Sequence, residues 1–284
     1  MRLINFSIVI PLYNKEQSIK STLLSVLSQS YSNYEVLIVN DGSTDSSLDI
    51  VKSFHDSRLK IFSKINGGVS SARNLGIREA KNNYVAFLDG DDLWAENHLE
   101  TMAEMIRAFP NDVVYYTKFT TDESHVFTGE KIEIKKTDDY LSEFFSRNWI
   151  HTSAVCVSRD YLIDNNLFFN EKLAQGEDLD LWQRLTVDNG AVFCNKCTEI
   201  YRLNTENNTS KLFNIEKRYD YIIRKKDFEN IKNGKKFYYY IISGSFLRSI
   251  TNQHFKDIVI SLRIHGLKNI IISLVMKFYF KFFH

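Results

Sequence analysis

Two periods alternate along the first part of the chain. Phe6–Pro11 (FSIVIP) is a short β-branched apolar run, the mark of a buried strand. From Lys15 to Ser28 the apolar positions Ile19, Leu23, Leu24 and Leu27 recur at helical spacing. The alternation then repeats. Strands are predicted over Tyr34–Asn40, Leu59–Phe62 and Tyr84–Leu88, and helices over Ser46–His55, Val69–Ala80 and Ala95–Phe109, with Asp45 placed to cap the second helix. Such an order predicts an α/β fold, a mostly parallel sheet covered by helices on both faces. After a fifth strand at Val113–Thr117 the pattern loosens. Thr120–Thr137 is polar, Thr152–Val157 reads as a strand, Glu177–Val187 as a helix, and Ala191–Cys194 with Glu199–Tyr201 as closing strands. Beyond Asn214 the chain reads as two or three helices, broken near Asn233-Gly234 and Gly266.

Charge divides the chain at the same place. Residues 213–284 carry 14 Lys+Arg against 5 Asp+Glu, which leaves 22 against 30 of the totals (36 and 35) for residues 1–212. An acidic body therefore precedes a basic tail. Cys156, Cys194 and Cys197 are an odd number and do not suggest a disulfide framework. Cys194-x-x-Cys197 has half the spacing of a zinc site but no partner pair, and reads as strand residues. Phe6–Leu12 is too short and too broken by Pro11 for a leader, and no run reaches the roughly 18 apolar residues of a membrane span. The body is expected to be cytoplasmic.

In an open parallel sheet, ligands bind at the carboxyl ends of the strands. Here the first strand runs into Pro11-Leu12-Tyr13-Asn14, the second into Asn40-Asp41-Gly42-Ser43, and the fourth into Asp89-Gly90-Asp91-Asp92. A single acid in such a place is often a turn or capping residue, which suffices for Asp45 and serves equally for Asp41. Three carboxylates within four residues are different, because they repel one another unless a cation compensates. A hard divalent ion, Mn²⁺ or Mg²⁺, bridging to phosphates meets that need.

SIVIPLYN, IVNDGSTDSS, NGGVSSARNLGI and YVAFLDGDD, followed by Gly176-Glu177-Asp178 before Leu181-Trp182, resemble in order and spacing the family 2 glycosyltransferases of the GT-A fold. The resemblance covers residues 5–205. It implies a Rossmann-like catalytic domain over 1–212, with a nucleotide-binding half (1–118) and an acceptor-binding half (119–212), then a helical extension over 213–284. It further implies that Asp41 accepts from a pyrimidine base, which favours a UDP-sugar donor, and that Pro11, Tyr13 and Asn14 line the nucleoside pocket. Asn66, Gly67, Arg73 and Asn74 would lie beside base and diphosphate. The alternative for Arg73 is an ion pair with a rim acid. Asp91 would be the direct metal ligand, Asp89 would meet the ribose or a metal-bound water, Gly90 between them would border the donor, and Asp92 could equally cap the next helix. Asp178 resembles the general base of an inverting reaction, although an acidic first helical turn is also favoured by the helix dipole. Trp149 could stack on a sugar face and His151 could touch the acceptor or diphosphate, or the two could be a buried aromatic and a capping histidine.

The polymer-forming relatives resemble one another in a Gln-x-x-Arg-Trp motif and membrane helices. Here Gln183-Arg184-Leu185 departs from that pattern, so one sugar per encounter is expected. A sugar-nucleotide pyrophosphorylase would need a Gly-x-Gly-x-Arg loop after the first strand, and an inactive binding subunit would not need both Asp91 and Asp178. The segment 256–284 mixes Ile270, Leu274 and Phe278 with Lys268, Lys277 and Lys281. That mixture suggests an anionic membrane surface as partner, on the inner face of the cell membrane, with a lid or a dimer contact as the alternatives. No nucleic-acid recognition motif is present, and the acidic body opposes such binding. The acceptor is expected to be a saccharide or lipid-linked saccharide of bacterial surface polysaccharide or glycolipid synthesis.

Overall fold

The computed structural model describes residues 3–122, 131–140, 149–206, 223, 225–231, 233–251 and 255–283. Within the readings above, residues 123–130, 213–222, 224, 232, 252–254 and 284, and the side chains of 248, 255, 256 and 278–283, lie outside the described residues. Strands β1 (Phe6–Leu12), β2 (Tyr34–Asn40), β3 (Leu59–Ser63) and β4 (Tyr84–Phe87) alternate with helices α1 (Ile19–Leu27), α2 (Ser47–Lys52) and α3 (Val69–Glu79). These four strands are parallel, in the order β3-β2-β1-β4.

Beyond β4 the sheet becomes mixed. β8 (Val155–Ser158) runs antiparallel to β4 and to β6 (Val114–Thr120), and β6 is parallel to the long β9 (Ala191–Ile200). β5 (Leu93–Trp94) and β7 (Ile134–Thr137) both pair antiparallel with β9. Helices α4 (His98–Ala108), α5 (Arg159–Asp164) and α6 (Glu177–Asn189) complete the order up to β9.

β1 and β2 are apolar almost throughout because both of their faces are covered. Ile8, Ile10 and Leu12 point into a cluster with Leu23 and Val26 of α1 and Leu99 and Met102 of α4. Val9 points to the opposite face, where α3 lies so close that a Cβ on Gly76 would stand 2.3 Å from Val9 Cγ1. On β4, Phe87 packs edge-on to Phe169, 5.4 Å between centroids, and lies 6.0 Å from Trp182 of α6. Each such buried side chain contributes about 1.5–3 kcal/mol.

The chain forms two compact units, residues 1–171 with 180–212, and residues 172–179 with 213–284. The second contains α7 (Gly234–Thr251), α8 (Phe255–His265) and α9 (Leu267–Phe283). The α8–α9 break falls at Gly266, whose φ of 77° is where the sequence placed a breaker. Among the described residues no single helix is long and apolar enough to cross a membrane.

Candidate active site

The carboxyl ends of β1, β2 and β4 meet at one rim. The Asp41 amide donates to Leu12 O at 2.8 Å, continuing the β1–β2 ladder past the strand ends. Gly90 is buried where a Cβ would stand 3.1 Å from Pro11 O, so glycine lets the Asp89–Asp91 turn lie close against β1 without a shift. Pro11 is half-buried and Tyr13 is exposed. Asn14 takes a left-handed φ of 50°, steadied by Thr44, whose amide donates to Asn14 Oδ1 at 2.8 Å. Asp45 does act at the start of α2, accepting from the Ser47 amide at 3.0 Å, and it also accepts from the Glu16 amide at 3.1 Å.

Asp41 is buried and its carboxylate builds the neighbouring loop. Oδ1 accepts from the Gly67 amide at 2.9 Å and from Lys64 Nζ at 2.7 Å, and Oδ2 accepts from the Gly68 amide at 2.8 Å. Asn66, Gly67 and Gly68 are exposed and lead directly into α3. Asp41 thus braces a loop distant in sequence, while the turn that follows it is held by Asn40, whose Oδ1 accepts from the Ser43 amide at 3.1 Å. A carboxylate has about four lone-pair sites, so one remains for a further donor.

Arg73, on α3, is nearly fully buried. Its Nη2 donates to Asp89 Oδ1 at 2.6 Å, and its guanidinium lies 5.1 Å from the Phe169 ring centre. Burial would raise the Asp89 carboxyl, but Arg73 in contact holds it below the ordinary range. Asn74, expected beside the diphosphate, has another task. Its amide nitrogen donates to Phe169 O and to Glu171 Oε1, both at 2.9 Å, and its Oδ1 accepts from the Phe169 amide at 2.9 Å.

Asp91 meets an internal cation. Lys15 Nζ lies 2.5 Å from Asp91 Oδ2, and the Thr205 hydroxyl donates to the same oxygen at 2.6 Å. Lys15 also donates to Glu206 O at 2.7 Å, while Arg202 Nε donates to Asp91 O. Glu206 in turn accepts from the Gln17 and Ser18 amides and the Ser18 hydroxyl ahead of α1. The strap after β9 is therefore tied both to the acidic turn and to α1. The donor set here, carboxylate and hydroxyl oxygens, is one that suits a hard divalent ion.

Asp92 faces inward, and the helix-capping alternative for it is not what the structure shows. Its Oδ2 accepts from the Ser153 hydroxyl at 2.6 Å and its Oδ1 from the Arg202 amide at 3.1 Å. It lies in a buried group with His151 and Glu199 whose ligand atoms are all within 4.8 Å of one another. Both Glu199 oxygens approach His151 Nδ1 at 2.9 Å. Burial alone would depress the imidazole, yet Glu199, with Asp92 and Asp89 beyond, raises it to about 9. Burial and the Glu199 charge push Asp92 well above the carboxylate range. A protonated imidazole between two acids supplies the neutralising charge of this group itself.

Asp178 stands in the first turn of α6, half-buried, with its Oδ1 accepting from the Leu179 amide at 2.8 Å. It belongs to the second unit, whereas the body of α6 belongs to the first. There Leu181, Trp182 and Leu185 are fully buried, and Arg184 bridges Asp180 at 2.6 Å and Phe168 O at 2.7 Å. Trp149 is exposed, and Cys194 and Cys197 are strand residues of β9.

The profile described as Glycosyl transferase family 2 matches residues 7–164, more than half of the chain. The chain belongs to glycosyl transferase family 2. Among relatives of this family, WfgD of Escherichia coli, a UDP-Glc:alpha-D-GlcNAc-diphosphoundecaprenol beta-1,3-glucosyltransferase, is 30% identical over 216 residues, 75% of this chain and 82% of WfgD. An uncharacterized glycosyltransferase of Rickettsia bellii is 33% identical over 62% of this chain, which spans only 25% of that longer protein. The fold matches that of Staphylococcus aureus TarS 1–349 in complex with UDP-GlcNAc, with a TM-score of 0.68 at 22% identity over 87% of this chain and 73% of that one. The GT-A architecture follows from these matches. What the family motifs alone did not mark in this chain is the company Asp91 keeps, Lys15, Thr205 and Glu206. The signal available was position: Lys15 directly follows the β1-end motif, and Thr205 and Glu206 closely follow the last strand.

Proposed function

We propose that the protein moves a sugar from a nucleotide-diphosphate donor, a UDP-sugar, to a hydroxyl of a saccharide or lipid-linked saccharide, with inversion at the anomeric carbon. The observation that carries this is the rim where Asp41, after β2, and Asp89 and Asp91, after β4, stand on either side of the end of β1, each already matched to a cationic side chain. Asp41 retains one acceptor site for the N–H of a pyrimidine base, beside the wall of Pro11, Tyr13, Asn14, Asn66 and Gly67. Arg73 offers a guanidinium to a phosphate once it is shared with Asp89.

Asp91, assisted by Asp89 across Gly90, holds a divalent metal, Mn²⁺ or Mg²⁺. Such an ion, when bound, neutralises charge on the departing diphosphate. Asp178 removes the proton of the acceptor hydroxyl as it attacks, a task for a carboxylate held at the start of a helix. Residues 1–118 serve the nucleotide and 119–212 the acceptor.

The names of the relatives support the substrate class. WfgD uses UDP-Glc and a diphosphoundecaprenol-linked sugar, and the TarS structure contains UDP-GlcNAc. A lipid-linked acceptor in surface polysaccharide or glycolipid synthesis sets the reaction at the cytoplasmic face of a membrane, reached peripherally through residues 256–284.

The test is nucleoside diphosphate release from a panel of UDP-, dTDP- and GDP-sugars with Mn²⁺ or Mg²⁺. Asp91→Asn and Asp178→Asn are each expected to lower turnover by about a hundredfold or more. Turnover indifferent to both substitutions, or no metal-dependent UDP binding by calorimetry, removes the reading.

A further inference from the structure

The second unit has a buried core of Phe228, Phe237, Tyr238, Ile242 and Phe246, but it also buries serines and leaves aliphatics outside. Ser243, Ser245, Ser249, Ser261 and Ser273 are buried between its helices, while Leu247, Ile250, Val259, Leu267, Ile271 and Val275 are exposed. These last are six of the fifteen large hydrophobic side chains exposed among the described residues, all drawn from three helices. In water, burying hydroxyls while exposing aliphatics wastes the main driving force of folding. In an apolar layer the same distribution is the favourable one, since small residues let helices approach and aliphatics meet hydrocarbon.

Three of these five buried hydroxyls are satisfied within their own helices. Ser243 donates to Tyr240 O at 2.8 Å, Ser249 to Ser245 O at 3.1 Å, and Ser273 to Ile270 O at 2.7 Å. None of these bonds depends on water.

On α9, Leu267, Ile271 and Val275 recur every four residues and so form one exposed row, with Ile270 and Ser273 buried on the opposite side. Charge marks the start of that row, where exposed Arg263 and Lys268 flank the bend at Gly266. α8 and α9 meet the length and composition of a membrane segment only as a pair, over Asp257–His265 and Leu267–Lys277, bent by 103°. A bent pair cannot cross as one rod, but it can lie along the boundary of a bilayer with one face down.

We infer that the Leu267–Ile271–Val275 face of α9 seats in the outer hydrocarbon of an anionic lipid bilayer, with Arg263 and Lys268 at the headgroups. This rests on the membrane-surface reading above and names the face that carries it. Basic flanks favour lipid over a second copy of the same face, because two copies would bring like charges together.

The test is flotation of the full chain with vesicles of phosphatidylcholine alone or mixed with phosphatidylglycerol. The protein should float with the mixed vesicles. A substantial fraction should stay bound in about 1 M NaCl, where the screening length falls to about 3 Å, because the apolar seat is not screened. Ile271→Glu with Val275→Glu should lower partitioning at least about tenfold, and the milder Ile271→Ser with Val275→Ser should lower it by less. Circular dichroism on each variant verifies folding. Wild-type protein that stays unbound, variants that float as well as wild type, or wild-type binding wholly lost in high salt overturns the inference. A wild-type dimer, seen by light scattering without vesicles and dispersed by the same substitutions, also overturns it. UDP binding by calorimetry on the same samples reports on the transferase reading separately, so each can fail alone.

Discussion

Lys15 Nζ lies 2.5 Å from Asp91 Oδ2, so the carboxylate expected to face a metal ion is already matched by an ammonium from the end of β1. Both side chains are largely buried, at 12% and 15% exposure, which makes the pairing stronger than one in open water. An ion that takes Asp91 Oδ2 displaces this ammonium, and Lys15 then turns toward a phosphate. Lys15→Met is therefore expected to raise the affinity of the nucleotide-free protein for Mn²⁺ by about tenfold, a difference of about 1.4 kcal/mol. The affinity can be read from the electron paramagnetic resonance of free Mn²⁺. Unchanged affinity would show that the ammonium and the ion do not compete.

Arg73 and Asp89 form a second pair, and here the cation is the buried partner. The guanidinium side chain is only 4% exposed and Asp89 28%. Removing the charge while keeping the stem, Arg73→Met, leaves Asp89 with its burial and without the contact that offsets it. Loss of one partner of a buried pair costs about 3 kcal/mol or more. Urea denaturation should show a loss near that size, and Arg73→Lys, which lacks the forked geometry, should recover only part of it. A loss under about 1 kcal/mol for Arg73→Met would mean that water reaches Asp89 and replaces the guanidinium.

How far the sequence could be read depended on how local each feature is. β1 and β2 were legible because each is a continuous apolar run with a turn at either end. β9 read as two strands, since Asn195, Lys196 and Cys197 interrupt its apolar pattern. In the fold those residues are half-buried where the β6 register shifts between Thr117 and Phe119, and the strand continues through the irregularity. β5 has two residues, too few for any period to show. The acidic turn was visible because its three carboxylates fall within four residues. Its counter-charges were not, because Lys15 reaches Asp91 across 76 positions and Thr205 across 114. Only the topology brings such pairs together.

His151 gives the protein a pH dependence whose sign is fixed by the direction of its shift. Its folded pKa is raised from 6.5 to about 9, so the folded state holds a proton that the unfolded chain releases earlier. The resulting stability is fully present below about pH 6.5 and is lost as pH rises through about 9. Asp92 and Glu199, both raised, act in the same direction from the acid side. Stability by urea denaturation should therefore fall between pH 6.5 and 9, by an amount on the order of 2–3 kcal/mol from this group. In His151→Gln the slope across that window should flatten, with the variant weaker than wild type at pH 6.5 and the gap closing toward pH 9. Parallel slopes in the two proteins would mean that the imidazole does not titrate in this range.

Gly76 offers a test of the scaffold at a position that carries no rim side chain. It lies within α3 and is buried against β1, where a Cβ would stand 2.3 Å from Val9 Cγ1 and 2.8 Å from Val9 Cγ2. In a solvated helix Gly→Ala stabilises by up to about 1 kcal/mol, because alanine has the higher helix propensity. Here overpacking opposes that gain at a typical cost of about 1–3 kcal/mol, and contacts this short place the site at the upper end. Gly76→Ala should therefore be destabilising by about 1–2 kcal/mol in urea denaturation. Val9→Ala, added to it, removes the methyls that clash and should restore part of the loss despite shrinking a core side chain. If instead the two substitutions are simply additive, α3 can shift away from β1. Arg73 on the same helix would then shift as well, and with it the geometry offered to Asp89.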